Sequence, residues 1–115
     1  MSTTSVIGKL REEQKKIEES LKELEAKKKE LDENYASVLK EEKMILEELR
    51  KCRDTYQYSR LEMRLNMVSR RKREIEPQKQ EIERKIRGYQ EELKKVTARI
   101  EYLKPKGKLV SREEE

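Results

Sequence analysis

The chain has 115 residues, enough for one small domain. Only 32% of them are apolar and 48% are charged, with no Phe or Trp, which argues against a compact globular core. The single Cys rules out an internal disulfide, and the net charge of +5 leaves a modest basic excess whose placement matters more than its size.

Residues 1–7 are small, polar and β-branched, and read as a flexible N-terminus with Thr4 or Ser5 as candidate N-cap. From about residue 8 to residue 52 an apolar residue recurs every seven positions: Leu10, Ile17, Leu24, Leu31, Val38, Ile45 and Cys52. A sustained seven-residue repeat is the signature of a helix with one narrow apolar seam. With this ladder as heptad position d, position a alternates between apolar residues such as Leu21 and Leu49 and polar ones such as Lys28 and Glu42.

The repeat then loses phase. Continuing it would place Ser59 at d, whereas the next ladder needs Leu61 there. A turn over about residues 53–59 accounts for the slip, with Arg53-Asp54-Thr55 supplying turn character and Ser59-Arg60-Leu61-Glu62 a capping box for the next helix. The second helix is predicted over about 60–103, with Leu61, Val68, Ile75, Ile82, Tyr89, Val96 and Leu103 at d. Pro77 falls on its outer face, where a kink or break is expected because proline lacks a backbone donor and crowds the preceding turn. Residues 104–115, with Pro105, Gly107 and a terminal run of Glu, read as a helix stop and a disordered tail.

Two seams of equal length point to an all-α fold, a long antiparallel two-helix coiled-coil hairpin. Folding about Thr55 layers Leu10 on Ile100, Ile17 on Leu93, Leu21 on Tyr89, Ile45 on Leu65 and Leu49 on Leu61. The competing arrangement is one continuous helix dimerising in parallel. It stacks Lys28, Glu42, Lys72 and Lys79 each on its own copy, and like charges across a seam are penalised. In the hairpin, Glu42 lies near Lys72 instead, and Lys79 can snorkel past Leu31. Dimerisation of two hairpins into a four-helix arrangement satisfies the same pattern.

Composition also bounds function. The chain has no His and no second Cys, its carboxylates spread along helix surfaces, and no Gly-rich phosphate loop is present. No catalytic residue, cofactor or metal site is therefore expected, and two narrow helices give no cleft that would exclude water from a reaction. Cys52 reads as a small seam residue rather than a reactive thiol. No apolar run is long enough to span a membrane, so a cytoplasmic protein without a membrane partner is expected.

What remains is surface. The apolar stripe widens toward the turn, with Leu39 and Leu46 beside the first seam, Tyr56 and Tyr58 at the turn, and Met63 and Met67 off the second seam. Such surface marks a binding face, because methionine adapts to its partner. Beside it, Arg60, Arg64, Arg70, Arg71, Lys72 and Arg73 stand against Glu62 alone. The expected function is that of a scaffold or adaptor. The turn-proximal half would bind another protein, helical or acidic, or a second copy in a homodimer, through Leu39, Leu46, Tyr56, Met63 and Met67, steered by Arg60, Arg64, Arg70, Arg71 and Arg73. Two alternatives use the same residues. Segment 60–73 would serve as a nucleic-acid-binding arm, since phosphate recognition needs clustered cations and no special fold, and Arg70-Arg71-Lys72-Arg73 also resembles a nuclear-import signal. The layout is similar, too, to the small, highly charged helical hairpins that act as stalk or escort proteins of bacterial export apparatus.

Overall fold

The structure is a computed structural model that describes residues 2–105. It is an all-α helical hairpin: α1 spans Thr3–Lys51, α2 spans Thr55–Leu103, and each has 49 residues. The interruption of the helix at residues 52–54 excludes the continuous shaft.

The ends of the helices differ from expectation in an instructive way. α1 starts at Thr3, not near Gly8, because Ser2 caps it: the Ser5 N–H donates to Ser2 Oγ at 3.2 Å, and the Val6 N–H to the Ser2 carbonyl at 3.1 Å. Residues 3–7 are thus helical rather than a flexible lead. The turn is also shorter than 53–59. It consists of Cys52, Arg53 and Asp54. Asp54 is the N-cap of α2, its carboxylate accepting the Tyr56 N–H at 3.4 Å and its carbonyl accepting the Tyr58 N–H at 2.9 Å. The expected capping box at Ser59 therefore lies inside the helix. No described residue adopts a positive φ, so the reversal needs no glycine.

Of the kink or break expected at Pro77, the break does not occur, and α2 is continuous through it. The ring sits on the exposed outer face, where the Arg73 carbonyl that loses its donor can meet water. One residue on, the Gln78 side-chain amide donates to the Glu74 carbonyl at 3.1 Å. The expected tail lies, from residue 106 onward, outside the described residues.

The hairpin divides into two packing units. In the first, residues 2–23 pair with residues 85–105. Ile17, Val96 and Ile100 are its buried core, flanked by Ile7, Leu10, Leu21, Tyr89 and Leu93. Gln14 Nε2 donates to Thr97 Oγ1 across the pair at 3.1 Å. In the second unit, Leu24–Arg84, the core is Val38, Ile45, Leu61 and Val68, with Leu49, Cys52, Leu65 and Ile75 packed against it. Both cores are built from the a and d positions of the heptads.

The second unit also carries a polar band within its seam. Lys72 Nζ lies 3.2 Å from Glu42 Oε1, as the hairpin layering predicts. Next to this pair, Lys79 Nζ reaches Asp32 at 3.1 Å and lies 4.4 Å above the ring centre of Tyr35. The Tyr35 hydroxyl donates to Glu76 Oε2 at 2.6 Å. Lys79 thus threads out past the seam between a carboxylate and an aromatic face, keeping its charge satisfied while its stem stays half-buried.

Candidate protein-binding surface

The basic segment splits into cations used by the fold and cations left over. Arg64 and Arg71 occupy position g of α2. They face Glu48 at 3.8 Å and Glu41 at 2.8 Å, which occupy g of α1. Lys72, at position a, is paired with Glu42. These three charges tie α2 to α1 along one flank. Arg60 lies over the Tyr56 ring at 5.8 Å and donates to its hydroxyl at 3.4 Å. Arg70 and Arg73 are exposed and make no ion pair among the described residues.

The expected apolar residues are all exposed: Leu39, Leu46, Tyr56, Met63 and Met67. Geometry sorts them into two faces. The g–g ion pairs define one flank of the unit, so the e positions, Leu39 and Leu46, lie on the opposite flank. Tyr56 and Met63 stand at f of α2 and Met67 at c, on the back of that helix and toward the g side. There they line an open groove with Ser59, Arg60 and Arg64. Arg70 continues this stripe at f, whereas Arg73, at b, turns toward the other flank. The ten residues singled out by sequence therefore do not make one patch.

Three exposed apolar side chains, Met44, Tyr58 and Tyr102, were not among them. Met44 is 56% exposed at position c of α1, and the heptad register carried that signal. Tyr102 is exposed in the other packing unit. Tyr58, at the turn, borders a small dent with Cys52, Arg53, Asp54 and Thr55. Cys52 itself is half-buried, its thiol within 3.3 Å of the Asp54 carbonyl.

The polar band shifts the titration of two of its own groups. Hydrogen bonds from Lys79 and then Lys28 hold the Asp32 carboxyl below the usual carboxylate value, against a smaller opposing effect of burial. The hydrogen bond to Glu76, reinforced by burial, pushes the Tyr35 phenol up. Tyr35 stands in the seam at position a, and Asp32 beside it at e. No described helix is long and apolar enough to cross a membrane. The sequence matches no family model, and neither curated proteins nor solved structures provide a match.

Proposed function

We propose that this chain is a non-enzymatic interaction hairpin that binds another protein through its turn-proximal half. The observation that carries the reading is the distribution of exposed apolar side chains. Leu39, Met44, Leu46, Tyr56, Tyr58, Met63 and Met67 all belong to the Leu24–Arg84 unit, and among the described residues only Tyr102 of this kind lies outside it. A two-helix seam has no structural need for methionine at c or f, where charged residues serve helix stability equally well. Unpartnered apolar surface of this kind costs solubility and is characteristic of contact surfaces.

A photo-crosslinking residue placed at Leu46 or Met63 in the expressed chain tests the reading, with Gln90 in the other unit as control. Discrete protein adducts from the turn-proximal positions and none from Gln90 are the expected result. Equal labelling from all three, or none from any, would reject it.

Nucleic-acid binding through residues 60–73 is the weaker use of the same surface. Arg64, Arg71 and Lys72 already face carboxylates of α1, so the phosphate-facing charge is smaller than the sequence count suggests. Of the two tyrosines at the start of α2, Tyr56 and Tyr58, the first already stacks under Arg60.

A further inference from the structure

We propose that the back of α2 around Met63 and Met67 docks an acidic amphipathic helix from a different protein. This rests on the protein-binding reading above and narrows it to one face and one kind of occupant.

Tyr56, Arg60, Met63, Met67 and Arg70 follow one another at intervals of four, three, four and three residues, the spacing of a single helical stripe. The stripe covers about 21 Å of helix at 1.5 Å per residue, or nearly four turns. Met63 and Met67 form its centre and are 65% and 64% exposed. Arg60 and Arg70 bracket them. Arg70 makes no ion pair among the described residues, and the polar contact of Arg60 is the phenol of Tyr56. A straight apolar strip with a cation at each end is the complement of a helix carrying a short apolar seam and flanking carboxylates.

The same arrangement disfavours a second copy of this chain. Two such stripes packed antiparallel about the Met63–Met67 centre set Arg60 against Arg70 of the other copy. Packed in parallel, they set each arginine on its own copy. Either direction buries apolar surface at the cost of juxtaposed like charges. An acidic helix meets the methionines and both arginines at once. Arg64, which lines the groove while 3.8 Å from Glu48, is close enough to join it.

Two synthetic amphipathic peptides of about four turns, sharing one leucine seam and flanked by Glu or by Lys, serve as probes for the full chain. Fluorescence anisotropy reads their binding and circular dichroism reads the helicity of each variant. The Glu-flanked peptide is expected to bind at least about tenfold more tightly than the Lys-flanked one, a difference of about 1.4 kcal/mol. Met63→Glu with Met67→Glu should remove that binding, Arg60→Glu with Arg70→Glu should reverse the preference, and Leu39→Glu with Leu46→Glu should leave it unchanged. Equal binding of the two peptides, or binding of neither, overturns the proposal. Loss in the Leu39/Leu46 variant alone overturns this face yet keeps the turn-proximal half as the binding region. Adducts absent from every photo-crosslinking position would instead remove the protein-binding reading itself. A concentration-dependent doubling of mass in light scattering, abolished by the methionine pair, would assign the stripe to a second copy.

Discussion

At the scale of single residues, the heptad positions divide side chains into those that hold the hairpin and those that do not. Ile45 is fully buried at d, in the core shared with Val38, Leu61 and Val68. Ile45→Ala removes three carbons from a site with little else to fill the space, and should cost about 3 kcal/mol. Met63→Ala, on the exposed back of α2, should stay within about 0.5 kcal/mol of the parent. Urea denaturation followed by circular dichroism measures both. A Met63 variant as destabilised as the Ile45 variant would mean that the methionine stripe is part of the fold rather than free surface. The sequence made this division legible, because Val38, Ile45, Leu61 and Val68 are all members of the two d ladders. It did not reveal the split of the exposed residues between two flanks. That depends on how the g positions of one helix face those of the other, which became visible only through Arg64–Glu48 and Arg71–Glu41.

At the scale of the helices, boundaries were the least legible feature, for a specific reason. Ser59-Arg60-Leu61-Glu62 has the pattern of a capping box, but Asp54 caps first, and a helix once started at Thr55 passes through Ser59 without interruption. Likewise Ser2 captures the N-terminus of α1 ahead of Thr4 and Ser5. Pro77 was legible as a lesion on the outer face, but the heptad pattern that placed it there does not show whether the backbone keeps helical geometry around the ring, as it does. The polar band gives the helix pair a defined pH response. The ionised form of Asp32 is favoured by folding, because Lys79 and Lys28 hydrogen-bond it. Its contribution is complete above the ordinary carboxylate value and is lost as pH falls through the lower folded value. The neutral form of Tyr35 is favoured, through its bond to Glu76. That contribution is complete below the ordinary phenol value and is lost as pH rises through the raised folded value. Thermal midpoints recorded against pH should therefore fall at both extremes, with Asp32→Asn flattening the acid limb and Tyr35→Phe the alkaline one. A profile for either variant that runs parallel to the parent across its limb would show that the band does not couple to folding.

For the whole molecule, the chain reversal is the property on which the placement of every face depends. Gln14 and Thr97 hydrogen-bond across one packing unit, although a continuous shaft would hold them about 125 Å apart at 1.5 Å per residue. Spin labels at these two positions, with Cys52 replaced by Ala, should report a separation well under half that value in a monomer diluted with unlabelled chain. A short distance that vanishes on dilution would instead mean pairing between chains. The reversal was legible from two equal ladders out of phase with each other. The choice of partner face was not, because a single sequence shows which residues are apolar but not which of them the other helix leaves uncovered.

The pairing of Glu42 with Lys72 has a consequence for alignment. A zipper whose teeth are all alike closes equally well at several offsets, and leucine-rich ladders repeating every seven residues have that weakness. Here one step in either direction would set Glu42 beside Leu65 or beside Lys79, taking Lys79 from Asp32 and Tyr35. Converting Glu42 and Lys72 together to Leu should raise the melting midpoint, since two half-buried charges give way to apolar contact. It should also broaden the label distances between the two helices, because one of the charged contacts that penalise an offset is gone, leaving Lys79 with Asp32 and Tyr35. On this account the charged pair trades some strength for alignment, and with Arg64–Glu48 and Arg71–Glu41 it sets where Met63 and Met67 stand relative to α1.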